Sequence, residues 1–97
     1  MAGNGAGVPV LAYEMEAQAL SQDGADSLVT VAIADVVGAP PANLLMTWRE
    51  ISEDLSDLSE IRRLINDRSG VAAPEELFEP LRRPRDVSDH LIRATQP

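Results

Sequence analysis

The chain has 97 residues, no cysteine and a formal net charge of −8. That length holds one compact domain, and the missing cysteine excludes disulfides, thiolate metal sites and cysteine nucleophiles. The acidic field repels phosphate backbones and anionic membranes and attracts basic protein surfaces.

All eight cations are arginine, and none precedes Arg49. The cluster Arg82, Arg83 and Arg85 is too small to reverse the field, so neither nucleic acid nor membrane is the expected partner. Tyr13, Trp48 and Phe78 are the only aromatics, so the core must be aliphatic. The N-terminus lacks the charged region of a signal peptide, and its apolar run is broken at Glu14 and Glu16. The longest apolar run, Leu28 to Val37, is too short to span a bilayer. A cytoplasmic location is the expectation.

Residues 1–26 read as a flexible N-terminus with a possible docking helix, and 27–97 as a helical domain. Within the first part, Leu11, Met15 and Ala19 recur at four-residue spacing and predict a helix from about Pro9 to Leu20, ended by Asp23-Gly24. A second helix is predicted over Ser27–Val37. Asp26 or Ser27 would cap it, since a side-chain oxygen can take an unpaired helical N–H. Gly38 suits a left-handed stop and Pro40-Pro41 forbids continuation. The run is rich in β-branched residues, so a strand competes, but its length and end signals favour helix.

Asn43 to Ser52 reads as a connection held to the core by Leu44, Leu45, Trp48 and Ile51. The third helix has the clearest pattern. Ser52, Asp54 and Ser56 are candidate caps, acids crowd its first turn, and Leu55, Leu58, Ile61, Leu64 and Ile65 follow helical spacing. Arg62, Arg63 and Arg68 suit its C-terminal end, and Asn66 to Gly70 closes it. Pro74-Glu75-Glu76 opens a short helical turn carrying Leu77, Phe78 and Leu81, with Pro74 suited to a first helical position. A last helix is predicted over Asp86–Ala94, with Val87, Leu91 and Ile92 inward. The expected fold is all-α: a small four-helix bundle with one long connection and an extra N-terminal helix.

No catalytic constellation stands out, and the chain is not expected to be an enzyme. His90 is the single histidine and has no identifiable partner. No Gly-rich loop follows a strand to cradle phosphate. The adjacent acids Glu53-Asp54 and Glu75-Glu76 stand near helix starts, where the helix dipole explains them.

The order of these signals resembles an acyl carrier protein from Leu28 onward. Ile33 to Gly38 corresponds to a helix ending in glycine, and Ile51-Ser52-Glu53-Asp54-Leu55 to an acidic turn after a long loop. Asp57 to Asp67 corresponds to an acidic recognition helix, Gly70-Val71 with Pro74 to Phe78 to the following segment, and Arg85-Asp86-Val87 to the opening of the last helix. The resemblance implies a carrier-like bundle whose partners are proteins with basic docking surfaces, such as synthase or acyltransferase domains. It further implies a serine at the start of the recognition helix bearing a 4′-phosphopantetheine arm, usually within Asp-Ser-Leu. Here the segment is Asp54-Leu55-Ser56-Asp57-Leu58-Ser59 instead. Ser59 is the first candidate and Ser56 the alternative. A literal Gly-x-Asp-Ser-Leu ends at Ser27-Leu28, where Ser27 is read as a helix cap. Asp54, Asp57, Leu58, Glu60 and Ile61 are the residues implied to meet partners. The competing reading is a non-enzymatic interaction module: a degenerate carrier, a docking domain or an inhibitor acting through the same acidic face.

Overall fold

The structure, a computed structural model, describes residues 19–97. Its elements are α1 (Gln22–Val37), α2 (Trp48–Ile51), α3 (Leu55–Ser69), a 3₁₀ turn (Glu75–Phe78) and α4 (Pro84–Ala94). Among the described residues the fold is all-α, without strands. The expected helix from Pro9 to Leu20 lies outside the described residues except for Ala19 and Leu20, which are not helical.

The first long helix begins earlier than expected. Ser21 is its N-cap, with its hydroxyl oxygen accepting from Gly24 N at 3.0 Å. Asp23-Gly24 therefore lies inside the first turn of α1 and does not stop a preceding helix. Asp26 and Ser27 are helical residues, not caps, so 22–26 belong to the packed helix. The physical reason is that a serine cap satisfies an orphan N–H and Asp23 suits the positive end of the dipole. Ala25, Val29, Ala32 and Ile33 form the buried stripe. Gly38 ends the helix at φ 96°, a left-handed conformation that L side chains resist.

Between α1 and α3 the expected connection contains one helical turn. Thr47 and Glu50 form a capping box: Thr47 Oγ1 accepts from Glu50 N at 3.3 Å, and Glu50 Oε1 accepts from Thr47 N at 2.9 Å. This turns Leu44 and Trp48 inward and leaves Leu45 62% exposed, so Leu45 does not anchor the segment. The segment is strapped to the chain before α4 and to the first turn of α4. Trp48 N donates to Arg82 O, Arg49 N to Pro80 O and Arg85 N to Leu44 O, each at 2.9 Å. Trp48 closes the core from this side. It is fully buried, donates Nε1–H to Leu77 O at 2.8 Å and stacks on Phe78 with centroids 5.2 Å apart.

The third helix has Asp54 as its N-cap, and Gly70 ends it at φ 73°. Its buried residues are Leu58, Ile61 and Ile65. Helix α4 starts at Pro84, two residues before the expected Asp86. Proline fits there because its missing N–H is an orphan in any first turn, while Asp86 Oδ2 reaches back to accept from Arg83 N at 3.1 Å. Leu81, expected on the short helical turn, lies beyond its end at Phe78 and is 69% exposed.

Helix α1 packs against both α3 and α4. An Asp35–Arg68 ion pair (2.7 Å) joins the C-terminal ends of α1 and α3, so these two run in the same direction. Leu20 N donates to Thr95 Oγ1 (3.0 Å), and the wholly buried Ser88 donates to Asp26, so α4 runs opposite to α1. This arrangement puts the start of α3 beside the 3₁₀ turn, where the candidate residues lie.

Candidate functional site

The site is the N-terminal end of α3 and the two shallow depressions beside it. Asp54 Oδ1 accepts from Ser56 N at 2.9 Å and from Ser56 Oγ at 2.7 Å. The Ser56 hydroxyl, with the Ser56 backbone N–H next, holds the Asp54 carboxyl below its ordinary range, because both bonds favour the charged form. Ser52 Oγ accepts from Asp54 N at 3.1 Å and donates to Asp57 Oδ2 at 2.9 Å, so a small polar network rigidifies this helix start.

The helical period sorts the expected partner-contact residues. Leu58 is 4% and Ile61 0% exposed, so both are core residues, with Leu58 reaching the surface only as part of the lining of the two depressions beside the helix. A rotation of 100° per residue puts them on the face that α1 covers, and the pattern that defines the helix also buries them. Asp57 is half-buried and held by Ser52. Glu60 is ion-paired to Arg63, which bonds Asp67 at 3.2 Å on its other side. Arg63 holds the Glu60 carboxyl below its ordinary range, and Glu60 raises Arg63 in turn. These groups are exposed, so the pairing contributes little to stability. Asp54 is exposed at the tip of the helix.

Ser56 and Ser59 both carry exposed side chains. Ser56 is the second residue of α3 and its hydroxyl is engaged by Asp54. Ser59 is the fifth, one full turn in, on the rim of a depression of about 180 Å³ shared with Leu55, Leu58, Arg62 and Phe78. Ser27 is exposed in the second turn of α1, away from this end of α3. His90 is half-buried on α4.

A phosphodiester arm needs an exposed hydroxyl, a counter-charge and room to lie down. Ser59 is exposed and adjoins a depression with room for the arm. Arg62 supplies a cation there, oriented by its Nε–H donating to Ala73 O at 2.9 Å, while Glu75 and Glu79 on the same lining oppose an anionic group. Ser59 lacks free backbone N–H groups, which are confined to the first turn. Ser56 has the helix-start position, but a carboxylate already occupies its hydroxyl. The residues present therefore fit the arm better at Ser59 than at Ser56.

A second, larger depression of about 450 Å³ adjoins the first and shares Leu55, Leu58 and Pro80 with it. Arg49, Ser52 and Glu53 complete its lining. Sequence reasoning missed Arg49, Phe78 and Pro80 as site residues because they come from three separate segments. The Thr47-x-x-Glu50 capping box was the one local signal that could have placed Arg49 on a helical turn.

No family model, curated protein or solved structure matches this chain. Among the described residues, no helix is long and apolar enough to cross a membrane.

Proposed function

We propose that the chain is a carrier-type protein that presents an acyl or peptidyl cargo, tethered through 4′-phosphopantetheine, to biosynthetic enzymes. The supporting observation is Ser59. Its exposed side chain stands on α3, at the rim of a depression lined by Leu55, Leu58 and Phe78, with Arg62, Glu75 and Glu79 on the same lining. Element order supports the same reading: a long helix, a long connection, a second long helix, a short turn and a last helix follow one another in the order that the resemblance implies. The arm supplies a flexible, thiol-ended tether. The protein's own part is to hold the phosphodiester against Arg62, to shelter part of the arm over Leu55, Leu58 and Phe78, and to offer Asp54 and neighbouring acids to a basic partner. Such charge complementarity speeds reversible docking more than it adds affinity.

The test is intact mass after incubating the full chain with a broad-specificity phosphopantetheinyl transferase and coenzyme A. The expected gain is one phosphopantetheine, lost in Ser59→Ala and kept in Ser56→Ala. A wild-type chain that gains no mass, or a gain that disappears only in Ser56→Ala, overturns the assignment.

A second reading is favoured by one observation. The first helical residue after the Asp54 cap is Leu55, 65% exposed, where a carrier would place its serine. In that reading the domain is a non-enzymatic interaction module using the same acidic face. It predicts no mass gain, together with salt-sensitive binding to a protein that has a basic docking surface.

A further inference from the structure

Helices α1 and α3 run in the same direction, and the Asp35–Arg68 ion pair sets their C-terminal ends in step. Gln22 lies thirteen residues before Asp35, and Leu55 thirteen before Arg68. At about 1.5 Å per residue, both stand about 20 Å back along the axis. The start of α3 is therefore level with the start of α1. Residues 1–18 join the fold at that same end. Ser21 caps α1 in an extended conformation, so the preceding chain leaves the helix axis there, and Leu20 N donates to Thr95 Oγ1 at 3.0 Å. The exit point of this segment is thus fixed at the end of the bundle that carries the two depressions.

Those depressions hold one large exposed apolar side chain, Leu55, at 65%, and Leu58, Phe78 and Pro80 add to the lining. A standard interface removes about 800 Å² from each partner, which one leucine does not approach. A patch this small suits an occupant that is already tethered. A short linker raises the effective concentration of a segment into the millimolar range, so a contact too weak to hold a separate molecule is filled from within the chain.

The tethered segment has the side chains for it. Residues 8–15 include Val8, Val10, Leu11, Tyr13 and Met15. Met15 is seven residues from Gln22, a span of up to about 25 Å, against roughly 8–10 Å between the axes of packed helices. Charge does not select this occupant. Arg49 and Arg62 on the linings attract Glu14 and Glu16, while Glu53, Glu75 and Glu79 oppose them. Apolar burial and the tether carry the contact.

We propose that residues 8–15 occupy these depressions within the same molecule, with Leu11 and Met15 against Leu55. Docked there, the segment covers the rim on which Ser59 stands, so access to that rim requires its release. That consequence rests on the carrier reading; the contact itself does not, and its test uses the unmodified chain.

The chain has no cysteine, so Glu14→Cys takes a single nitroxide label, and paramagnetic broadening of backbone amide signals is read on the full chain. The expected result is that Leu55, Ser59 and Phe78 lose more than half their intensity, while Gly38 and Gly70 at the opposite end keep theirs. Adding Leu11→Ser and Met15→Ser to the labelled chain leaves the tether but removes the anchors, and broadening at Leu55 and Phe78 should fall at least twofold. An unshifted Trp48 indole signal shows that the fold is intact. Broadening unchanged by the anchor variants overturns the proposal, as does broadening confined to residues around Leu20 and Thr95. So does equal broadening of an isotope-labelled, nitroxide-free chain mixed with a labelled one, which would place the segment on a second copy.

Discussion

Replacing Trp48 with alanine tests whether one side chain closes the core. Trp48 is fully buried, stacks on Phe78 at 5.2 Å and 29°, and donates its indole N–H to Leu77 O at 2.8 Å. Truncating a buried Trp to Ala typically costs about 3–5 kcal/mol, from lost transfer energy and the cavity left behind. Trp48→Phe keeps a ring against Phe78 but strands the Leu77 carbonyl, a loss of about 1–3 kcal/mol. A chain of this size has a total stability of about 5–15 kcal/mol. The alanine variant thus loses a large fraction of it, and its midpoint temperature falls by roughly 12 °C or more. Leu45→Ala, on the same segment but 62% exposed, is the control and should stay within about 0.5 kcal/mol. Urea denaturation followed by circular dichroism measures all three. The reasoning fails if Trp48→Ala loses less than about 1 kcal/mol, or if Leu45→Ala costs as much as Trp48→Ala.

Two further outcomes follow from the helix ends. Gly70→Ala forces a side chain into the left-handed region at φ 73° and should lower stability by about 1–2 kcal/mol, read from the same urea curves. At the opposite end of α3, Ser56→Ala removes the main bond holding the Asp54 carboxyl low, so its titration midpoint rises towards the ordinary value of about 3.9. Because that midpoint is depressed in the folded chain, its contribution is in place above about pH 3.9 and fades as pH falls through the lower folded value. Carboxyl NMR titration of wild type and Ser56→Ala checks this; an unmoved Asp54 midpoint refutes the assigned cause.

The candidate site was only half legible from its residues. The leucine ladder identified α3 and its capping region, because an amphipathic period and a cap are local properties. The same ladder could not tell which apolar residues were free to meet a partner. Leu55 and Leu58 look alike in the pattern, yet one is 65% and the other 4% exposed. The difference is where α1 lies, and that is set by its own stripe of Ala25, Val29, Ala32 and Ile33. The start of α1 was misplaced for a different reason. Ser21, Asp26 and Ser27 are all competent caps, and the choice fell to Ser21 once Ala25 packed into the core and Asp26 accepted a bond from Ser88 on α4.

Helical character, the glycine stops at Gly38 and Gly70 and the acidic field are consequences of residues close together in the chain or of composition, so sequence alone determined them, whereas the core expected to be aliphatic also takes in Trp48 and Phe78. The depressions, the strap that joins Trp48 and Arg49 to Pro80 and Arg82, and the exposure of Leu81 are consequences of residues some thirty positions apart. Only the tertiary structure decided them, because a side chain's burial depends on which distant element covers it and not on its own apolarity.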